Sequence, residues 1–344
     1  MSRTEINSLG EFGLIDRLAE NVTIRNTSTV KGIGDDAAII LNEREVTVVS
    51  TDILTEGIHF DLSYTPLMHL GYKAVVVNLS DIYAMNATPA QITVSIAISN
   101  RFSVEAIEEI YKGINLACEF YKVDLVGGDT TSSLKGLFLS ITAIGQANQD
   151  KIVRRAGAKP GDLICVSGDL GAAYLGLQLL NREKQVFLED PNMQPQLNDK
   201  QYLVGRFLKP EARKDIIEFL VGESILPTSM IDISDGLSSE LHHLCRQSST
   251  GALIEENAIP IAEMTYHTSV EFNINPTVCA LSGGEDYELL FTVNPKELQK
   301  IENAPVDIRI IGEIKEAKEG INIMSKAGTI TPINALGWNS FKQV

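Results

Sequence analysis

Gly32-Ile33-Gly34-Asp35-Asp36-Ala37-Ala38 sets two adjacent carboxylates among small residues. Adjacent acids at a turn repel each other, and they persist either in water or around a cation. The same stretch decides the fold, because Gly32, Gly34 and Ala37 also fit the G-x-G-x-x-G/A dinucleotide fingerprint. That fingerprint needs a strand before it and a helix after it, so that bare amides face a pyrophosphate. Here the polar run Arg25-Asn26-Thr27-Ser28-Thr29-Val30-Lys31 precedes it. A strand-like run follows, Val46-Thr47-Val48-Val49-Ser50-Thr51, ending in Asp52. Asp35 and Asp36 would also repel a phosphate with no metal between. The Rossmann reading is therefore rejected.

The chain has 344 residues, 44% hydrophobic and 22% charged, which suits two ordinary globular domains with a sizeable core. Its 45 acidic and 29 basic residues give a net charge of −16, which argues against a nucleic-acid phosphate backbone as partner. Cys118, Cys165, Cys245 and Cys279 lie in apolar runs with no C-x-x-C pair, so neither a disulfide framework nor a zinc site is expected. No histidine belongs to an H-E-x-x-H motif. Residues 1–21 lack the apolar core of a signal peptide, and no stretch approaches a membrane span. The expected location is the cytoplasm.

Along the chain, residues 9–18 read as a short helix and 67–85 as a longer one. Asp81 falls on or beside the apolar face of the second, either as a capping or solvent-facing acid or on metal or hydrogen-bonding duty. Residues 93–98 alternate as a strand, and 104–121 form the clearest amphipathic helix through Ile107, Ile110, Ile114, Ala117 and Tyr121. A short strand then runs into the turn Gly127-Gly128-Asp129-Thr130-Thr131, with a carboxylate beside bare backbone. The polar run 145–151 marks a boundary between domains 1–150 and 151–344.

In the second domain, the basic turn at 154–162 with Arg154 and Arg155 suits either a phosphate partner or an ordinary surface turn. Residues 182–200 read as irregular and polar, a loop or a weak helix. The strand through Met230-Ile231-Asp232-Ile233 breaks at Ser234-Asp235-Gly236, and Ser234 or Asp235 could cap the helix that follows. Capping leaves Asp232 unexplained. Ser282-Gly283-Gly284-Glu285-Asp286-Tyr287-Glu288 is a second glycine-and-acid turn. Strands and helices mix throughout, so the class is α/β or α+β.

Asp35, Asp36, Asp52, Asp81, Asp129, Asp232, Asp235 and Glu285 mostly flank glycine or end strands. Jointly they suggest an oxygen-ligand site for several hard cations, as Mg²⁺ requires. EF-hand spacing, the G-x-x-x-x-G-K-[ST] loop, the protein-kinase set and the G-x-S-x-G elbow are all absent. Metal-mediated phosphate chemistry on another scaffold remains.

Seven motifs occur in order: Gly32 to Ala37, Ser50-Thr51-Asp52, Gly57-Ile58-His59-Phe60, Val77-Asn78-Leu79-Ser80-Asp81, Gly127 to Thr131, Ile231 to Gly236, and Ser282 to Leu289. Together they resemble the thiamine-monophosphate kinase family, within the ATP-dependent superfamily that includes aminoimidazole ribonucleotide synthetase. The resemblance implies a two-domain aminoimidazole ribonucleotide synthetase-like α/β fold. Its N-terminal sheet helps form a homodimer barrel, and its C-terminal α/β domain completes the nucleotide and substrate site. It implies ATP-dependent phosphorylation of thiamine phosphate to thiamine diphosphate, with several Mg²⁺ ions. Carried over motif by motif, Asp36, Ser50, Thr51, Asp52, Asp81, Asp129, Asp232 and Asp235 resemble metal ligands, and Asp36, Asp52, Asp81, Asp129 and Asp235 the catalytic acids. Tyr111, Gly128, Asp129, Arg155 and Ser234 resemble nucleotide contacts, and His59, Glu285 and Trp338 contacts to thiamine phosphate.

Other readings are weaker. Selenophosphate synthetase is disfavoured because no cysteine precedes Lys31, and the hydrogenase-maturation relative because the chain ends Lys342-Gln343-Val344. An aminoimidazole ribonucleotide synthetase-like enzyme is the nearest alternative in chemistry. A non-catalytic nucleotide- or Mg²⁺-binding protein is the alternative in class.

Overall fold

The computed structural model describes residues 17–31, 39–40 and 46–334. The acidic turn with Asp35 and Asp36, and Trp338, lie outside the described residues. The chain divides into two compact units, the first of residues 1–83 and 87–152, the second of 84–86 and 153–344. Among the described residues, no helix is long and apolar enough to cross a membrane.

In the first unit, β1 (Thr29–Lys31) pairs with β2 (Ile39–Ile40). Then come β3 (Val46–Thr55), α1 (Leu67–Ala84), β4 (Thr88–Ile98), α2 (Val104–Tyr121), β5 (Asp124–Ser132) and β6 (Phe138–Ala147). The sheet order is β3-β6-β4-β5, antiparallel except for the parallel β4–β5 pair. Helix α2 forms where the 3.6-residue period predicts, with Ile107, Ile110, Ile114, Ala117 and Tyr121 buried. Ser103 caps its start by accepting from the Ala106 amide at 3.4 Å. Lys122 ends it in the left-handed region at φ 59°.

Helices α1 and α2 approach at backbone distance. A Cβ on Gly71 would stand 1.9 Å from Ile110 O, and one on Gly113 would stand 1.9 Å from Met68 O. Only glycine permits that crossing. Ile82 of α1 lies against Gly145 of β6, so α1 covers one face of the sheet. The other face carries the exposed side chains of Val49 and Ile53.

Two expectations change here. Asp52 lies inside β3 rather than at its end, because pairing with β6 continues to Thr55↔Phe138. Gly127 to Thr131 is strand rather than turn, because parallel pairing with β4 extends from Thr93↔Gly127 to Ile98↔Ser132.

The second unit contains β7 (Leu163–Ser167), α3 (Ala172–Glu189), α4 (Gln201–Leu208), α5 (Lys214–Gly222), β8 (Ser229–Asp232), α6 (Leu237–Ser248) and β9 (Thr250–Glu255). It continues with α7 (Glu263–Glu271), α8 (Pro276–Ser282), β10 (Leu289–Val293), α9 (Leu298–Glu302), β11 (Ile308–Glu316), β12 (Ile321–Met324) and β13 (Ile330–Pro332). The sheet order is β13-β12-β9-β11-β7-β10-β8. Leu237, Leu241 and Leu244 of α6 join Ile164, Val166, Ile231 and Leu290 of the strands in one core. Each such side chain contributes roughly 1.5–3 kcal/mol of burial. Helix α3 runs on to Glu189, so the stretch read as loop or weak helix is helical at its start. Leu175, Leu179 and Leu180 keep its inner face buried, and Glu183 extends that face by accepting from the Gln196 amide at 2.9 Å.

Candidate active site

In the first unit, a small polar cluster forms where α1 crosses β3. Asn78 is buried to 1% exposure. Its Nδ2 donates to Ala74 O at 3.0 Å, and its Oδ1 accepts the Asp52 amide at 2.9 Å. The Ser50 hydroxyl donates to Asp81 Oδ2. Ser50 and Asp52, two residues apart on one strand, thus share the α1 face with Asp81. The Asp52 carboxyl is pushed up to about 6, by desolvation first and by the like charge of Asp81 second. Asp52 keeps substantial solvent exposure, so the Asp81 repulsion is the firmer cause.

Thr51 and Asp129 do not join this cluster. The Thr51 hydroxyl donates to Ile141 O at 3.1 Å and accepts from Thr142 Oγ1 at 3.0 Å. The register runs Asp52↔Ile141, Ile141↔Val94 and Val94↔Gly128, which puts Gly128 in the Asp52 row. Asp129, the next residue along, therefore points to the opposite face from Asp52, and three strand spacings separate the two strands by roughly 14 Å. Asp129 instead lines a pocket with Tyr111, Gly128, Val94, Leu125 and Leu18. Three of the expected nucleotide contacts thereby share one concavity. Burial pushes the Tyr111 phenol up to about 12, so it stays a neutral hydroxyl. His59 sits in the loop after β3, where its Nδ1 accepts the Thr55 amide at 3.0 Å.

In the second unit, two turns zip together along their backbones. The Glu285 amide donates to Ser234 O at 2.7 Å, the Tyr287 amide to Ile233 O at 2.9 Å, and the Ile233 amide to Glu288 O at 2.7 Å. The arrangement forces Glu285 (φ 63°) and Tyr287 (φ 53°) into the left-handed region, as well as Gly284 (φ 71°). A Cβ on Gly284 would lie 2.6 Å from Ser234 O, so this position must be glycine. The zipper brings Asp235, Glu285 and Arg155 into one electrostatic neighbourhood, together with His243. The Asp235 carboxyl is raised by desolvation, lowered by His243, raised by Glu285 and lowered by Arg155. Asp232 closes β8 with only 4% exposure.

Ser234 and Asp235 do not cap α6. Its N-cap is Gly236 at φ 113°, with no side-chain cap bond. A Cβ at Gly236 would lie 2.8 Å from Leu281 O, so the cap position itself must be glycine. Glu240 reaches back from within the helix instead, and its Oε1 accepts the Asp235 amide at 3.0 Å.

The acids thus fall into separate groups: Asp52 with Asp81, Asp129 apart, and Asp232 with Asp235. Among the described residues, no three His, Cys, Asp or Glu side chains are placed to hold one metal ion. The donor chemistry still suits Mg²⁺, since every candidate ligand is an oxygen. Asn78, Glu240 and His243 were not among the expected site residues. Only Asn78 had a signal: an amide inside an otherwise apolar helical stretch.

The AIR synthase related protein N-terminal domain family matches residues 34–147, and the corresponding C-terminal domain family matches 159–324. The chain is 34% identical over 341 residues to a thiamine-monophosphate kinase of Bacillus subtilis (strain 168), covering 97% of this chain and all of that one. It resembles the crystal structure of thiamine-monophosphate kinase from Stenotrophomonas maltophilia K279a with a TM-score of 0.77 at 33% identity, over 92% of this chain and 96% of that one. It also resembles AaThiL complexed with AMPPCP and TMP, with a TM-score of 0.74 at 32% identity, over 98% and 99% of the two chains.

Proposed function

We propose, because the chain belongs to the thiamine-monophosphate kinase family of AIR synthase related proteins, that it transfers the γ-phosphoryl group of ATP to thiamine phosphate, giving thiamine diphosphate and ADP. The observation that carries this reading is the zipped turn pair, which sets Asp235, Glu285, Arg155 and His243 in one neighbourhood. A relative complexed with AMPPCP and TMP supports the two substrates.

The acceptor is a phosphate monoester with a second pKa of about 6, so it is mostly a dianion at pH 7 and needs no general base. The obstacle is the meeting of two polyanions in line. Bound Mg²⁺ supplies neutralising charge at the phosphates. Asp52 and Asp81, with Ser50, would hold it in the first unit, and Asp232 and Asp235 in the second. Asp36 belongs to the same reading, on sequence grounds alone. Tyr111, Gly128 and Asp129 take part of the nucleotide in their shared pocket, with Ser234 as a further contact. Arg155 places an exposed, permanently charged guanidinium where negative charge moves. His59, whose Nδ1 accepts the Thr55 amide, belongs to the acceptor-phosphate contacts in the same reading. Glu285 would face the cationic thiazolium, and Trp338 belongs to the same reading on sequence grounds alone.

Incubation of the full chain with ATP, Mg²⁺ and thiamine phosphate should give thiamine diphosphate and ADP in equal amounts. Turnover of a purine precursor without thiamine diphosphate would favour the synthetase-like alternative. Nucleotide binding without turnover of any acceptor would favour a binding protein.

The same reading includes a cytoplasmic homodimer built on the first unit's sheet. Val49 and Ile53 stand 62% and 54% exposed on the face away from α1, and Ile144 and Phe138 lie on the same face by register. An apolar strand face open to water is unusual unless a partner covers it. The wild-type chain should elute as a dimer in size-exclusion chromatography with light scattering. Ile53→Asp should shift it to monomer, and an unchanged dimer would remove this face from the interface.

A further inference from the structure

Glu240 is an acid beside the zipped turns that is neither an expected metal ligand nor an expected substrate contact, and no ion pair with it is seen among the described residues, unlike Asp286 and Glu288, which pair with Arg206. It sits in the first turns of α6 with only 2% exposure. Burying a carboxylate this deeply is costly unless both oxygens are satisfied. One oxygen is: Oε1 accepts the Asp235 amide at 3.0 Å. The other, Oε2, is fully buried and has no hydrogen-bond partner among the described residues. Glu240 thus stands directly behind the Asp235 main chain, one oxygen bound to it and the other without a partner among the described residues. A leucine would fill the same place at lower cost, as Leu237, Leu241 and Leu244 do on the same helix.

The Ser234-Asp235-Gly236 turn needs an anchor on its helix side. On its other side, the Glu285 amide holds Ser234 O. The helix N-terminus supplies no cap of its own, since Gly236 has no side chain and is strained at φ 113°. Among the described residues, the Glu240 carboxylate is the one side chain that bonds the Asp235 main chain, by accepting its amide. Without it, Asp235 could swing on the glycine that follows it.

We propose that Glu240 is a positioning residue: its carboxylate fixes the Asp235 main chain so that the Asp232 and Asp235 side chains converge on one cation. The proposal rests on the metal reading of Asp232 and Asp235 given above. Partners of this kind, one bond behind a ligand, set cation affinity by orienting the ligand.

Two conservative variants separate reach from charge. Glu240→Gln keeps an oxygen of the same reach for the Asp235 amide and loses the charge. Glu240→Asp keeps the charge and is one methylene too short. Each is compared with wild type by titrating MgCl₂ at fixed ADP and following the thermal shift of the full chain, so no turnover is needed. In wild type and Glu240→Gln the half-saturating Mg²⁺ concentration should agree within about twofold, whereas in Glu240→Asp it should rise on the order of 10- to 100-fold. Glu240→Asp should also lower kcat at low Mg²⁺ and recover at high Mg²⁺.

A merely structural cap would lower the melting temperature of Glu240→Asp and leave its Mg²⁺ midpoint unmoved, which overturns the proposal. Tolerance of Asp with failure of Gln would mean that charge, not position, is what Glu240 supplies, and would overturn it too. A wild-type chain with no Mg²⁺-dependent shift would remove the metal reading itself, and the proposal with it. That failure is distinguishable, because it appears before any variant is made.

Discussion

Asp235→Asn should lower kcat for thiamine diphosphate formation by roughly 10²- to 10³-fold, the usual cost of removing one preorganised electrostatic contact to a transferring group. The same substitution should leave the melting temperature at pH 7 unchanged or higher. The sign follows from the site. The Asp235 carboxyl is raised by desolvation and by Glu285, against the lowering effects of His243 and Arg155. A carboxyl whose folded pKa lies above its unfolded value binds more protons in the fold than in the open chain. It therefore subtracts stability as pH rises through that interval, and at neutral pH the charge opposes folding. Asparagine removes the charge and keeps the shape. Loss of turnover with retained or improved stability marks a group kept for chemistry rather than for folding. The check is a kinetic series in Mg²⁺ beside a thermal melt. Near-normal kcat at ordinary Mg²⁺ would return Asp235 to the role of a turn residue, and a falling melting temperature would show the carboxylate to be structural.

The split between what was readable in the chain and what was not follows the range of the interactions. The helix of Val104–Tyr121 is written in local spacing, and it forms as the period demands. The break after Asp232 is equally local, since Ser234, Asp235 and Gly236 cannot continue a buried strand. Strand ends are different. β3 reaches Thr55 and β5 reaches Ser132 because β6 and β4 are there to pair with them, and nothing within Thr51-Asp52 or Gly127-Gly128-Asp129 announces those partners. The separation of Asp52 from Asp129 is less legible still. It depends on the register across three strand pairs, including an irregularity between Ile92 and Thr93, and a one-residue slip would reverse the face. The motifs supplied the right kinds of residue in the right order. Which of them face one another is a property of the sheet.

Glu240 shows the same limit. In sequence it is one acid in the early turns of a helix, where acids are common. Its meaning comes from burial and from one bond to a backbone amide five residues earlier. Asn78 is likewise unremarked in sequence beyond its polarity, yet its amide oxygen holds the backbone of Asp52 at 2.9 Å. In both units, then, a buried polar side chain on a helix grips the main chain of an acid expected to bind metal. The ligands of such a site can be read from motifs, while the parts that aim them are visible only in three dimensions.

Glu288→Ala should cost about 3–5 kcal/mol of stability in the second unit, the range for deleting one partner of a buried ion pair. Glu288 is 1% exposed at the start of β10. Oε1 accepts from Arg206 at 3.0 Å, while Oε2 meets Arg213 and accepts from the Ser167 hydroxyl. Next to it, Asp286 accepts the Gly171 amide at 2.8 Å and the Ala173 amide at 3.4 Å, capping α3 where Gly171 has no side chain to do so. Removing Glu288 leaves two guanidinium groups in a protein interior with one fewer counter-charge. Arg206 would keep its bonds to Asp169 O and Asp286 O, and Arg213 its pair with Asp215, which places the expected loss toward the lower end of that range. Glu288→Gln keeps the acceptor for Ser167 and should lose less. The denaturant midpoint of the full chain reads both values, and a loss below about 1 kcal/mol for Glu288→Ala would show that solvent already screens the cluster. The site should feel the change as well. Glu285 and Tyr287 hold left-handed backbone conformations that cost non-glycine residues roughly 1–2 kcal/mol each. They persist because Asp286 and Glu288, alternating with them, are locked into the interior. A variant that frees this anchor without unfolding the unit should therefore raise the KM for thiamine phosphate, through Glu285, more than the KM for ATP.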